Sequence, residues 1–303
     1  MNEIYQQLVN GLALGAVYAL IAIGYTMVYG VLRFINFAHG DVFMLGSFTG
    51  YYLAPQIAKW FPLPGWGGWI AVMVTTMIIC AIIGIVIELL AYRPLRNRPR
   101  LTVLITAIGV SLLIEFTAQH EKVLGASPQP FPKLLPERSF ELGNLVVSSN
   151  DIIIVLVTLF LLIAMWLIVQ KTRVGTAMRA VSFNQQAASL MGVPVNRIIS
   201  FTFGLGSALA AIAGILYAMK APGIEPLMGV QPGLRAFIAA VLGRIGNLPG
   251  AVLGGILIGL LETFAGGIPG LSNYRDAIAF GILILILLFK PAGLLGRVTV
   301  EKV

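Results

Sequence analysis

The chain has little charge, one thiol and two imidazoles. Only 11% of its 303 residues are Asp, Glu, Lys or Arg, against about 25% in a typical soluble domain. Its single cysteine, Cys80, lies inside an apolar run, which excludes an intrachain disulfide and a multi-cysteine metal site. The two histidines, His39 and His120, are too far apart in sequence to offer metal-ligand spacing. No stretch reads Gly-x-x-x-x-Gly-Lys-Ser/Thr, so no phosphate-binding loop is expected. No Ser/His/Asp set, zincin helix or paired-carboxylate site stands out. Nothing in the residue inventory argues for an enzyme or a metal site.

What the chain does have is apolar length. Hydrophobic residues make up 58% of it, and the mean hydropathy is +0.92. A soluble core of this size could not hide so much apolar surface, so the solvent for most of the chain is lipid. The expectation is an all-α, polytopic membrane protein forming one domain over residues 1–303, with no separate soluble unit. The formal charge of +8 is not a nucleic-acid signal, because the basic residues cluster in short loops between apolar runs, where orientation signals belong. The first run follows Met-Asn-Glu, without a positive leader or small-residue cleavage site, and reads as a permanent span.

A span needs about 20 apolar residues at about 1.5 Å each. Candidates are Tyr5–Tyr29, Val31–Ala54, Trp66–Ala91, Leu101–Ala118, Asp151–Gln170, Ile198–Met219, Pro249–Gly266 and Tyr274–Phe289. Leu234–Gly246 is shorter and carries Arg235 and Arg244 near its ends, so it reads as a short tilted span or as half of a re-entrant hairpin. Eight and nine crossings both stay open.

Loop charge sets the expected orientation. Tyr92–Arg100 carries Arg93, Arg96, Arg98 and Arg100 and no acid, and the tail after Phe289 carries Lys290, Arg297 and Lys302 against Glu301. Residues 171–197 carry Lys171, Arg173, Arg179 and Arg197 and again no acid. These three regions go to the cytoplasm. Residues 119–150 are balanced in charge and rich in proline, and go outside. The set is self-consistent with a periplasmic N-terminus and a cytoplasmic C-terminus.

Within 171–197, Thr176–Met191 reads as one cytoplasmic helix. Arg179, Ser182, Gln186 and Ser189 share one stripe, and Ala177, Val181, Ala188 and Met191 share another. A helix held at the cytoplasmic face is a candidate docking device, and the plainer reading is a loop that happens to be helical.

Three further patterns stand out. Gly246, Gly250 and Gly254 recur every fourth position, as do Gly255 with Gly259, Gly11 with Gly15, and Gly46 with Gly50; small residues at this spacing allow close helix packing in lipid. The run Arg33-Phe-Ile-Asn36-Phe-Ala-His39-Gly40-Asp41 puts polar groups into an apolar stretch. Two readings stay open. A helix that begins at Arg33 would carry Asp41 roughly 12 Å along its axis, with Gly40 allowing a break beside a cavity; alternatively, a cytoplasmic turn would end at Asp41 as N-cap. Glu88, Glu115 and Glu262 read as carboxylates that are paired or reach an interface, with Glu88 close to Arg93.

The segment Asn10–Phe48 resembles the N-terminal signature of LivH-type permeases, the membrane subunits of high-affinity branched-chain amino-acid ABC transporters. Thr172–Ile198 resembles that family's ATPase-docking loop, Ala236–Glu262 its C-terminal block, and Phe289–Gly296 its tail. Arg244 stands where the family more often has a small residue. The resemblance implies an importer of leucine, isoleucine and valine across a bacterial inner membrane. Its partners would be a second, homologous permease, two cytoplasmic ATPase subunits that bind the ATP, and a periplasmic amino-acid-binding protein. No cofactor is then expected on this chain, and no nucleic acid among its partners. ATPase coupling would rest on Gly175, Arg179, Asn184, Ala187, Ala188 and Gly192, and Asn36, His39, Gly40 and Asp41 are candidates for the translocation pathway. Competing readings are a permease for another small polar solute, such as urea or short amides, and an ion-coupled secondary transporter using Asp41, Glu115 or Glu262.

Overall fold

Lipid exposure and helix length dictate the architecture. The computed structural model describes residues 2–96, 98–143, 145–268, 270, 272–290 and 293–295. Arg297, Glu301 and Lys302, and Pro291, Ala292 and Gly296 of the expected tail motif, lie outside the described residues. Among the described residues, the helices are α1 (Asn2–Leu32), α2 (His39–Ile57), α3 (Trp66–Ile87), α4 (Arg100–Gln119), α5 (Ser149–Lys171), α6 (Arg173–Phe183), α7 (Gln185–Leu190), α8 (Val195–Lys220), α9 (Val230–Gly243), α10 (Leu248–Gly267) and α11 (Arg275–Phe289). A π-helical turn, Glu88–Tyr92, extends α3. Among the described residues, six helices are long and apolar enough to cross a membrane. The protein is thus a polytopic helical membrane protein.

Among the described residues, strand is confined to one end of the bundle. β2 (Ser139–Leu142) and β3 (Leu145–Ser148) form a hairpin, and β1 (Gln129–Pro130) pairs antiparallel with β4 (Gly223–Ile224). The same end holds the start of α1, where Gln6 Nε2 donates to Val146 O at 2.9 Å, and the junction of α5 with α8, where Lys220 pairs with Asp151. The opposite end carries Arg93, Arg96 and the α6–α7 segment, and is called the basic end below. Arg96 Nη1 donates there to Asn196 Oδ1 on α8 at 2.7 Å.

The central helices pack through glycine. A Cβ at Gly15 would meet Ile256 Cα of α10 at 2.7 Å, and one at Gly255 would meet the α1 backbone at Ala19 N at 2.5 Å. One at Gly46 of α2 would run into Ala211 Cα of α8. Backbones approach this closely only where no side chain intervenes, which is how helices associate in lipid without a hydrophobic drive between them.

The pairings form a pattern of exchange. Helix α1 packs along α10, and α8 packs along α3; α2 leans on α8, and α9 leans on α1; α2 neighbours α3, and α9 neighbours α10. Replacing α1, α2 and α3 by α8, α9 and α10 reproduces the same neighbours. Helix α1 runs from the hairpin end to the basic end and α8 runs back, so the two three-helix units are inverted relative to each other, the arrangement that many transporters share.

Two expectations are corrected. Val31–Ala54 is not a continuous span: α1 continues to Leu32, residues 33–38 are non-helical, and α2 starts at His39. Asp41 is therefore neither deep in a helix begun at Arg33 nor an N-cap, but lies in the first turn of α2, whose N-cap residue is Ala38. Of the two open readings of Leu234–Gly246, the path of the chain fits the short span and not the re-entrant hairpin. The chain leaves the hairpin end at β4, turns helical at Val230 and reaches the basic end after Gly243, where Arg244 has φ 82° and Gly243 lies backbone to backbone on Gly250. With α2, α9 and α11 joining the six long helices, the described chain runs from end to end nine times.

Candidate functional site

The starts of α2 and α9 meet inside the bundle. A Cβ at Gly40 would lie 2.7 Å from Gly229 O, and one at Gly233 would lie 3.0 Å from Gly40 Cα. This junction sits well within the helical layer. His39 packs against Gly24, roughly 12 Å along α1 from its Leu32 end, and Asp41 contacts Ser111, roughly 16 Å along α4 from Arg100. Helices broken at mid-depth free backbone amides, and such breaks are tolerated only where protein or water meets them.

The four pathway candidates from the sequence gather around this junction. Asn36 accepts from Tyr92 OH at 2.5 Å. The His39 ring stands edge-on to Tyr25 with centroids 4.6 Å apart. Gly40 forms the backbone contact just described. Asp41 Oδ2 accepts from Ser111 Oγ at 2.5 Å, and Ser111 Oγ lies 3.5 Å from Glu115 Oε1. Asn36, His39 and Asp41 are all buried. A cavity of about 90 Å³, lined by Tyr25, Phe37, Asp41, Glu115 and Val230, opens beside them. Small apolar and polar surfaces thus converge where the two inverted units touch.

The second candidate region is the α6–α7 segment at the basic end. Thr176–Met191 is not one helix. Asn184 breaks it, its Oδ1 accepting from Ala187 N at 3.0 Å as the N-cap of α7. Asn competes with helical backbone bonding in just this way, which makes it a cap and a poor interior residue. The two short helices are held firmly. Gly175 is buried where a Cβ would collide with Ile168 O and Val169 O of α5. The Arg179 guanidinium turns back to donate to Val169 O. Met178, Val181 and Ala188 are buried against the bundle.

Of the six expected coupling residues, Gly175 and Ala188 thus face inward. Arg179, Asn184, Ala187 and Gly192 lie on the exposed side, Gly192 with φ 82°. The sequence stripes group Met191 with the inward set, but it is 84% exposed, beside Leu190 at 89% and Phe183 at 86%. An open groove of about 1030 Å³ runs between α7 and the start of α8, lined by Gln185, Gln186, Ser189, Leu190, Asn196 and Arg197.

Two buried charge clusters are only partly legible in the sequence. Glu88 is paired, as expected, but with more partners than Arg93 alone. It is fully buried, paired with Arg93 at 3.3 Å and with Arg96, and accepts from Ser200 Oγ of α8 at 2.7 Å. Glu262 is 2.8 Å from Arg235 and accepts from Tyr18 OH at 2.7 Å, while Arg235 also binds Asp276 at 2.7 Å. That network joins α1, α9, α10 and α11. A lone arginine inside an apolar helix is the available signal, but its partners are 217, 27 and 41 residues away in sequence (235 − 18, 262 − 235, 276 − 235), beyond any local pattern.

Comparison with known proteins agrees with this architecture. The family described as "Branched-chain amino acid transport system / permease component" matches residues 7–287. The chain is 42% identical over 314 residues to the high-affinity branched-chain amino acid transport system permease protein BraD of Pseudomonas aeruginosa, covering all of both chains. It is 38% identical over 302 residues to LivH of Escherichia coli K12, covering 98% of this chain and 97% of the relative. A more distant likeness, 29% over 130 residues and 41% of this chain, is to the ribose import permease protein RbsC of the same organism. The chain belongs to the permease component family of branched-chain amino acid transport systems.

Proposed function

We propose that the chain is the permease subunit of an ATP-driven importer that moves leucine, isoleucine and valine across a bacterial inner membrane together with a second, homologous permease. One observation carries the reading: α6 and α7 project at the basic end as a clamped pair that exposes Phe183, Leu190 and Met191. Large apolar side chains so exposed outside the helical bundle fit a surface that a partner covers. The all-basic loops support a cytoplasmic basic end and a periplasmic hairpin end. Two ATPase subunits would dock on α6–α7, and a binding protein would deliver the amino acid at the hairpin end.

The mechanism is a population shift. ATP-driven closure of the motor must favour one permease conformation, by the difference in its binding energy between the two. Clamped short helices transmit such a movement. The pathway candidates at Asn36, His39, Gly40 and Asp41 stand where the inverted units meet, the place where broken helices line substrate passages in other transporters. Full-length identity to BraD favours branched-chain amino acids; the partial likeness to RbsC leaves sugars as the alternative cargo to assay.

The test is affinity purification of the tagged chain followed by uptake assays in vesicles. The reading expects two ATPases and a second permease to co-purify and leucine uptake to require ATP. Phe183→Glu with Leu190→Glu should leave the chain inserted and abolish ATP-driven uptake. Because Ala188 is buried and Arg179 is spent on an α5 carbonyl, charges placed at those positions would disturb folding as well as docking. Recovery of the chain alone, with uptake driven by an ion gradient, would support a secondary transporter instead.

A further inference from the structure

Arg33 occupies a backbone position that favours glycine. It follows the last residue of α1, its amide closes that helix on Tyr29 O at 2.7 Å, and its φ is 56°. A left-handed residue after a helix C-terminus is usually glycine, because a side chain crowds the backbone there. An arginine at such a position calls for a use of its guanidinium.

That use is visible. Arg33 Nη2 donates to Ser182 O at 3.1 Å and to Phe183 O at 3.2 Å, the last carbonyls of α6. These carbonyls have no acceptor role inside their own helix, and a cation there also meets the negative end of the helix dipole. The favour is returned. Ser182 Oγ donates to Gly30 O, and Gln185 Nε2 donates to Val31 O at 3.0 Å, which satisfies the last carbonyls of α1. Two helix C-termini therefore cap each other through side chains 149 to 154 residues apart.

On its other side, Arg33 opens the non-helical stretch that enters the bundle. Asn36, held by Tyr92, is three residues on, and the start of α2 follows at His39. The α6–α7 pair is thus fastened to the broken span by a direct tie, in addition to its covalent neighbours α5 and α8.

We propose that Arg33 is a positioning residue for energy coupling, converting displacement of α6–α7 into movement of the broken span at Asn36–Asp41. The proposal rests on α6–α7 being the ATPase-docking element. It is tested in proteoliposomes holding both permeases, both ATPases and the binding protein, by measuring ATP hydrolysis and leucine uptake together. Arg33→Ala and Arg33→Gly should keep hydrolysis within about twofold while ATP spent per leucine rises about tenfold, the size of a typical coupling loss. Arg33→Lys should recover part of the ratio, since an ammonium can reach one of the two carbonyls. An unchanged ratio in Arg33→Ala and Arg33→Gly overturns the proposal, and so does a parallel fall of hydrolysis and uptake, which marks a purely structural role. If these variants do not assemble, Gln185→Ala removes one bond of the same tie; a raised ratio supports the proposal and an unchanged one overturns it. Wild-type uptake that ignores ATP would take down the docking reading itself, a failure separable from that of Arg33.

Discussion

Helices α5 and α8 are both full spans, and they are built oppositely. Residues 152–163 of α5 are an unbroken run of Ile, Val, Leu and Phe with a single Thr, yet little of that helix is buried. Residues 204–214 of α8 are mostly Gly, Ala and Ser, less apolar by composition, yet most of α8 is buried. Helix α1 is built like α8, and α3 like α5. In water the most apolar segment would lie inside. Here lipid is the solvent, so apolarity marks the spans that face it, and small residues mark the spans that face each other.

Substitutions in the two kinds of span sharpen that contrast. The largest effect should come from the charge cluster between inner helices. Glu262→Ala leaves Tyr18 without its acceptor and Arg235 without its nearest buried carboxylate, and should cost about 3–5 kcal/mol, read as loss of folded subunit on thermal unfolding in detergent. Next comes packing: Gly46→Val drives a side chain into the α8 backbone at Ala211 and should cost about 1–3 kcal/mol by the same measurement. The smallest effects belong to the outer spans. A Cβ added at Gly109 of α4 would meet nothing within 4 Å, and Leu113 is largely exposed, so Gly109→Val and Leu113→Ala should each stay within about 0.5 kcal/mol in the isolated subunit. A Gly109 variant as damaged as the Gly46 variant would erase the distinction between inner and outer spans.

The same contrast explains what is legible in the sequence. Outer spans announce themselves by length and apolarity: the expected Leu101–Ala118 is α4, Arg100–Gln119, and the expected Asp151–Gln170 is α5, Ser149–Lys171. The polar run at Asn36–Asp41 is also visible, because charge in lipid is conspicuous. How the inner helices meet is not. The break at residues 33–38 is hidden because Phe34, Ile35 and Phe37 keep the stretch apolar while Asn36 and Arg33 find partners on the π-helical turn after α3 and on α6. The inverted pairing of α1–α3 with α8–α10 leaves only scattered glycines, whose spacing is common in any span. The division of Thr176–Met191 at Asn184 turns on a side-chain cap that periodicity does not weigh.

The most direct test of the account is labelling of Phe183→Cys with a membrane-impermeant maleimide, Cys80 being buried and silent. The account predicts no reaction in intact cells, rapid reaction in inverted vesicles stripped of ATPase, and protection once the ATPase subunits are added back. Reaction from the outside of intact cells would contradict it.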